Sequence, residues 1–502
     1  KMVQDKLSYI PGEYKLFDEL IVNSFDQYIR LIETDETDIY PVKNIKITCN
    51  KETGEISVYN DGEGIKVEMH EKEKMYIPQL IFGELLTSSN YKEDELKHVG
   101  GKNGYGAKLV NIFSKEFTIE TIDSHNKLKF NMTYYDNKSR HTKPKITKYT
   151  SKPYTKITYT PDYNRFKSDG LSDDMIKIML KRCYDLSACT DNSVNIYFNN
   201  EKLDCKNFEK YINLYIGNKD EKFRVYENVN TRWEIGACLS EESNFEQISF
   251  VNGINTVKGG KHVDYITNQI TKKMSEWISK KKKVTIKPNY IKENLMIFIR
   301  CTIDNPSFSS QTKETLTTNK DKFGRPCDIS NKFIEQLSKS GIVERSLELS
   351  SVKDFKTLKK HDGKKQNRLK GIPKLEDANW AGTKNSNSCT LIITEGDSAK
   401  STAMAGLDIV GRDKYGIFPL KGKLLNVRDV KNIKKIIENN EINNLKKIIG
   451  LQTDVVYENT DKLRYGKLMI LTDQDEDGSH IKGLLFNLFD TLWPSLFKFT
   501  GF

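Results

Sequence analysis

The 502-residue sequence contains no run of about eighteen apolar residues, so no segment is predicted to cross a membrane as a helix. Its start, Lys1-Met2-Val3-Gln4-Asp5, is not a secretory signal. The eight cysteines stand singly, at Cys49, Cys183, Cys189, Cys205, Cys238, Cys301, Cys327 and Cys389. No C-x-x-C pair occurs, which argues against a zinc site and a disulfide framework and fits an intracellular, reducing compartment. Two phosphate-binding patterns are also missing. Gly101 and Gly106 have the spacing of a P-loop, but Ala107 stands where its lysine belongs, and Leu109 replaces the third glycine of a G-x-G-x-x-G fingerprint. What is present is a chain 37% hydrophobic and 30% charged, the composition of a globular protein with a very polar surface and room for about three domains. The net charge of +11 favours a polyanionic partner. The sequence stops at Thr500-Gly501-Phe502, after an apolar segment and without a polar tail, and is expected to be part of something longer.

Against those absences, one stretch stands out: Gly100-Gly101-Lys102-Asn103-Gly104-Tyr105-Gly106-Ala107-Lys108. Four glycines in nine residues let backbone N–H groups approach phosphate oxygens closely, and two lysines add positive charge. The apolar Leu109–Phe113 that follows reads as a buried helix start, so this is a place to hold a polyphosphate, although alone it also fits a plain surface turn. Upstream, Leu16–Gln27 is predicted to be a helix, with Phe17, Ile21 and Phe25 on one side and Glu19, Asn23 and Asp26 on the other. Glu19 is placed to take a proton from water and Asn23 to ligate Mg²⁺; a solvated helix face is the rival reading. Strands are predicted at Asn44–Cys49 and Glu55–Asn60, turning at Glu52-Thr53-Gly54. The second runs into Asn60-Asp61-Gly62-Glu63-Gly64, where Asn60 can both donate to and accept from a purine edge. Thr87-Ser88-Ser89-Asn90-Tyr91 is a polar cluster suited to ribose and phosphate.

Together these pieces resemble the GHKL (Bergerat) ATPase fold, and the wording of "YKLFDELIVNSFDQ", "YNDGEGI", "LIFGELLTSSNY" and "GGKNGYGAKLVNIFS" resembles the eukaryotic-type DNA topoisomerase II family. The resemblance implies Glu19 as general base, Asn23 as Mg²⁺ ligand and Asn60 on the adenine side. It implies Ser88, Ser89 and Asn90 at the nucleotide, and Gly101, Lys102, Asn103, Gly104, Tyr105, Gly106, Ala107 and Lys108 around the phosphates. Many relatives in the wider superfamily carry Asp where Asn60 stands; this branch carries Asn.

Asp123–Ser168 reads as strands that complete the first sheet, followed by a helix at Leu171–Ser187 and a strand at Asn192–Phe198. From about Lys219 a second domain is expected. Ile248–Val251 is a strand entering a turn at Asn252-Gly253, and Lys258–Tyr265 resembles the family's transducer motif, with His262 structural. Lys280, Lys281, Lys282 and Lys283 lie between helix-like and strand-like segments. A solvated loop is the bland reading; the resemblance implies contact with DNA phosphates, which carries no sequence information. Asn305–Glu314 resembles the family's Gln-Thr-Lys loop, which implies that Gln311, Thr312 and Lys313 reach ATP, Lys313 stabilising the γ-phosphate during transfer.

Lys353–Ser388 is charged and reads as a helix ending in a linker. Beyond it, the strand Cys389–Thr394 delivers Glu395, and the strand Lys467–Leu471 delivers Asp473, Asp475 and Asp477, a hard-oxygen set for Mg²⁺. An EF-hand fails because Leu484 takes the twelfth position and a strand precedes the acids. The set resembles the TOPRIM domain, and "PLKGKLLN" implies phosphate contacts by Lys421, Lys423 and Asn426. The fold class expected is α+β / α/β multidomain: a GHKL sandwich at 1–217, a transducer domain at 218–365, a linker at 366–387 and a Rossmann-like TOPRIM domain at 388–502. The resemblance further implies ATP and Mg²⁺ as cofactors, double-stranded DNA as partner, ATP-driven homodimerisation and a nuclear location. It implies an ATP-dependent type IIA enzyme that passes one duplex through a transient break in another. The swapped N-terminal arm and the winged-helix tyrosine are not found in these residues, and Tyr465, beside Arg464, is read as packing. The chain is therefore expected to hydrolyse ATP without cleaving DNA by itself. Two rival readings are a mismatch-repair-like ATPase and a nucleotide-switched DNA clamp that turns over little.

Overall fold

The computed structural model describes residues 1–34, 36–37, 39–84, 105–369, 371–430 and 433–502. They form two compact units, Lys1–Trp277 with Ile291–Val343, and Ile278–Tyr290 with Glu344–Phe502.

The first unit contains two sheets. The larger comprises β1 (Asn44–Cys49), β2 (Ile56–Asp61), β3 (Ser114–Asp123), β4 (Leu128–Tyr135), β5 (Arg140–His141), β6 (Lys145–Lys148), β7 (Tyr154–Pro161), β8 (Asn195–Phe198) and β9 (Glu201–Lys202). Its order is β5-β4-β3-β7-β2-β1-β8-β9, with β6 against β4, and only the β1–β8 pairing is parallel. Alternation sets its faces: Ile45 and Ile47 of β1, and Phe117 and Ile119 of β3, point into the core. The helices are α1 (Pro11–Glu33), α2 (Ile77–Gly83), α3 (Gly106–Ile112), α4 (Tyr163–Phe166), α5 (Asp173–Cys189) and α6 (Phe208–Ile216). Phe17, Ile21 and Phe25 of α1 join Val110 of α3 and Met179 and Leu186 of α5 in the core. The first helix is longer than predicted at both ends; Pro11, in its first turn, has the φ a helix needs and no N–H to lose. The two predicted strands stand at Asn44–Cys49 and, one residue later than expected, Ile56–Asp61.

The second sheet is built from β10 (Val225–Asn230), β11 (Trp233–Leu239), β12 (Glu246–Val251), β13 (Ile254–Asn255) and β14 (Leu295–Cys301), in the order β10-β11-β14-β12-β13. The buried Ile266, Ile270 and Met274 recur at every fourth residue of α7 (Lys261–Lys282), one face of a helix. The lysine run is not a loop between a helix and a strand. Lys280, Lys281 and Lys282 form the last turn of α7, where positive charge complements the helix dipole. Lys283 follows with φ 56°, and the next element is a helix, α8 (Pro288–Lys292), not a strand. Two further helices are α9 (Asn331–Leu337) and α10 (Ile342–Lys360).

The second unit has a parallel sheet, β16 (Tyr415–Leu420), β15 (Thr390–Glu395) and β17 (Lys467–Leu471), with β15 in the middle. Thr394 pairs with Leu471, so Glu395 and Asp473 leave the sheet at the same edge. Besides α10, nearly all of which belongs to this unit, its helices are α11 (Gly396–Val410), α12 (Lys434–Ile437), α13 (Asn440–Ile449), α14 (Glu476–Leu492) and α15 (Pro494–Phe497). Gln366, Asp377 and Ala378, within the 366–387 stretch, are held by side chains of this unit. Arg464, fully buried, donates through Nε to Gln366 O at 2.7 Å and pairs with Asp377. Tyr465 OH lies 2.5 Å from Asp377 Oδ1 and receives the Ala378 N–H at 2.9 Å. Burial and Asp377 push the phenol pKa far up, which fits a packing residue.

Candidate nucleotide and metal sites

The helical spacing of Glu19 and Asn23 places them one turn apart on α1, but their surroundings differ. Glu19 is buried and Asn23 is exposed, so the face is not the uniformly solvated one of the rival reading. Lys15, one turn earlier, puts Nζ 2.8 Å from Glu19 Oε1 and 3.0 Å from Asp18 Oδ2. Asp18 in turn receives Arg182 Nε at 2.8 Å. Burial alone would raise the Asp18 pKa; Arg182 and Lys15 outweigh it and hold the carboxyl well below the usual carboxylate range.

The glycine-rich segment meets this carboxylate at Gly106, the first residue of α3: a Cβ there would fall onto Glu19 Oε2. Only Gly lets the backbone come so near. Of the residues expected around the nucleotide, Ser88, Ser89, Asn90, Gly101, Lys102, Asn103 and Gly104 lie outside the described residues. Tyr105, Gly106, Ala107 and Lys108 lie within them. Lys108 is turned inward by the helix, with Ala107, Val110 and Asn111. Burial pushes its pKa down to about 8.

Asn60 ends up buried beside α1. Its Oδ1 accepts from Ser24 Oγ at 3.4 Å and its Nδ2 donates to Asp61 O at 3.0 Å. The turn after it is held from several sides. The Asp61 carboxylate receives the N–H groups of Lys43 and Asn44, each at 2.7 Å, and Gln27 Nε2 donates to Glu63 O at 3.0 Å. Gly62, at φ 99°, sits against Val42 and Leu31, where a side chain would clash.

In the loop after β14, Gln311 and Thr312 are exposed, with Thr312 Oγ1 2.7 Å from Ser310 Oγ. Lys313 is mostly buried and has φ 58°, a left-handed conformation that a non-glycine residue adopts only under local constraint. His262 is fully buried, with Nε2 3.1 Å from Thr256 Oγ1, and burial pushes its pKa down to about 3. This burial fits the structural reading of His262.

The four acids of the second unit share a sheet edge without forming a ready cage. Among the described residues no three His, Cys, Asp or Glu side chains converge on one metal-sized point. Like charges separate and take local partners. Asp477 pairs with Lys423 at 2.8 Å; Asp475 Oδ1 caps α14 by accepting from Gly478 N at 2.7 Å; Asp473 is exposed. Glu395 Oε2 is buried and accepts no hydrogen bond, a costly state for a carboxylate that a cation would relieve. An all-oxygen donor set of this kind suits a hard divalent cation. Lys421 is exposed, while Asn426 Nδ2 is engaged with Asp429 Oδ2 at 2.6 Å.

These sites lie in regions that match known proteins. A family profile described as DNA gyrase B matches residues 204–365, and one described as Toprim domain matches 390–500. "DNA topoisomerase 2" of Drosophila melanogaster is 48% identical over 508 residues, covering 99% of this chain and 34% of the relative. That of Saccharomyces cerevisiae is 46% identical over 518 residues, covering 100% and 36%. Among solved structures, the ATPase region of Saccharomyces cerevisiae topoisomerase II superposes with TM-score 0.64 at 43% identity, covering 70% of this chain and 89% of that one. The chain belongs to the DNA topoisomerase II family. The ATPase and transducer domains of Balamuthia mandrillaris topoisomerase II are similar too, with TM-score 0.65, 41% identity and 70% and 88% coverage. The chain spans about a third of the length of the curated topoisomerase II relatives it matches. The gyrase-B-like and Toprim matches of this topoisomerase II chain fit ATP use and divalent-metal binding. Sequence reasoning missed Lys15, Asp18 and Arg182. Lys15 stands four residues before Glu19 and was legible as an i, i+4 neighbour; Arg182, 164 residues beyond Asp18, was not.

Proposed function

We propose that this chain supplies the ATP-hydrolysing gate and the metal-binding part of a type IIA DNA topoisomerase whose complete form passes one duplex through a transient double-strand break in another. The observation that carries the reading is the close approach of Gly106 to the Glu19 carboxylate, with Asn23 one turn further along α1. The contact sets the end of the glycine-rich segment, read as a phosphate cradle, beside the carboxylate read as general base. In this reading Glu19 takes the proton of the attacking water, and Asn23 offers its carboxamide oxygen to Mg²⁺. Asn60 lies at the adenine, and Ser88, Ser89, Asn90 and Gly101 to Lys108 enclose the sugar and phosphates. Gln311, Thr312 and Lys313 answer to the γ-phosphate. Bound Mg²⁺ neutralises phosphate charge.

In the same reading Glu395, Asp473, Asp475 and Asp477 hold the metal of the cleavage centre. Lys280–Lys283, Lys421, Lys423 and Asn426 contact duplex phosphates. Residues 1–217 are the ATPase domain, 218–365 the transducer and 388–502 the TOPRIM domain, joined through 366–387; ATP closes a homodimer, and the enzyme works in the nucleus. Steady-state phosphate release tests the reading. Glu19→Ala should keep binding a non-hydrolysable ATP analogue and lose about 10²–10⁴-fold in turnover. Equal loss of binding and turnover would make Glu19 a structural residue, and negligible turnover by the unaltered chain would favour a nucleotide-switched clamp.

A further inference from the structure

The turn between β12 and β13, Asn252-Gly253, is wedged against α1, which carries Glu19, and against α5. Arg182 of α5 is fully buried and spans two elements: Nε donates to Asp18 Oδ1 on α1 at 2.8 Å, and Nη2 donates to Gly253 O at 3.0 Å. Its Nη1 is buried without a partner. On α1, Phe25 packs so closely on Gly253 that a Cβ there would overlap its ring, and Gly253 has φ 75°. Asn255 Nδ2 fastens the far side of the turn to Asp185 of α5 at 3.2 Å. The turn is tied in the opposite direction as well. Asn252 exchanges two hydrogen bonds with Ile303, donating through Nδ2 to its carbonyl at 3.0 Å and accepting its N–H at 2.8 Å. Ile303 opens the loop that carries Gln311 and Lys313. A continuous chain of hydrogen bonds and ion pairs therefore runs from Ile303 through Asn252-Gly253, Arg182, Asp18 and Lys15 to Glu19.

We propose that Arg182 is a positioning residue for Glu19. By clamping the β12–β13 turn to Asp18, it makes the orientation of the Glu19 carboxylate depend on where the Gln311–Lys313 loop draws that turn. The proposal rests on Glu19 being the base of ATP hydrolysis. A buried charge is sensitive to small displacements, because moving one partner leaves the other without its counter-charge and both in a medium that screens poorly. Arg182 needs no contact with nucleotide to act in this way.

Two measurements test it on the whole chain. In Arg182→Lys the cation beside Asp18 is kept, but one ammonium cannot fork between Asp18 and Gly253 O. Turnover of ATP should fall about ten- to hundredfold, as for a reacting group displaced by an ångström or so. KM for ATP and the affinity for a non-hydrolysable analogue should stay within roughly twofold. Unchanged turnover in a folded variant would overturn the proposal, as would parallel loss of turnover and affinity, which is the mark of a merely structural role. Hydrogen exchange on Asn255→Ala, without nucleotide, tests the coupling with no reference to hydrolysis. The α1 amides of residues 15–19 should exchange faster together with those of the turn; an effect confined to 252–255 would sink the clamp. If the exchange result holds while Glu19→Ala still hydrolyses ATP, the clamp stands as a structural link and the base assignment is what fails.

Discussion

Lys15 Nζ stands 2.8 Å from Glu19 Oε1 and 3.0 Å from Asp18 Oδ2, so one ammonium serves two neighbouring carboxylates of the same helix. Burial pulls the lysine pKa down, and the two carboxylates more than offset it, leaving a cation that is charged throughout the working range. Lys15→Met keeps the length of the side chain and removes that charge. Stability should fall by ~1–3 kcal/mol, the range for removing a hydrogen bond to a charged group. ATP turnover should fall with it, because Glu19 is deprived of the ion pair that orients it. Urea melts and phosphate release check the two effects separately.

Gly106→Ala separates packing from chemistry. Gly106 is the first residue of α3, where the preference for Ala over Gly is smaller than the ~1 kcal/mol of a helix interior. Here the added Cβ falls onto the end of the Glu19 side chain, which can swing aside at small cost. Stability should therefore change by no more than ~1 kcal/mol in either direction, while turnover drops because the carboxylate has been moved. A variant that melts as before and hydrolyses ATP at the original rate would show that this close approach has no bearing on catalysis.

His262 should make the protein acid-sensitive before most carboxylates titrate. Its folded pKa is pushed down to about 3 from an ordinary value near 6.5. Between those values the unfolded chain binds the proton and the folded chain does not. The stability that the neutral imidazole contributes is thus complete above about pH 6.5 and is lost as pH falls toward 3, by at most ~1.4 kcal/mol per unit. Comparing melts of the wild type and His262→Gln from pH 7 to pH 4 should show a steeper fall for the wild type.

The lysines at the end of α7 make a prediction about salt. Lys280, Lys281, Lys282 and Lys283 are all exposed. If they meet duplex phosphates, replacing the four with alanine should weaken binding about equally for unrelated sequences. The slope of log affinity against log salt should become shallower by ~0.9 for each phosphate that is no longer neutralised. Fluorescence anisotropy over a salt series measures both. An unchanged slope would remove these residues from the DNA surface.

Much of the local structure around the candidate nucleotide site was legible because its signals are local. Glu19 and Asn23 are one helical turn apart, Phe17, Ile21 and Phe25 mark the buried side of that helix, and Asn60 ends a strand before glycines that only a tight turn needs. The strands that carry Glu395 and the aspartates were equally plain as short apolar runs. The burial of Lys108 was not legible, because it depends on how the helix that starts at Gly106 packs. Lys280–Lys282 were expected in a loop because charge alone does not show that a helix continues beneath it.

The sequence by itself determined the order of the motifs, the family they belong to and the residues with the right chemistry, since spacing along helices and strands follows from the fixed geometry of each. Tertiary structure alone decided which charges far apart in the sequence meet. Arg182 finds Asp18 across 164 residues and Gly253 across 71, and Asp477 turns to Lys423 rather than toward Glu395. No periodicity encodes such pairs. They arise because packing brings distant segments into one low-dielectric interior, where a charge must find a partner, and leaves the sheet edge exposed enough for like charges to part.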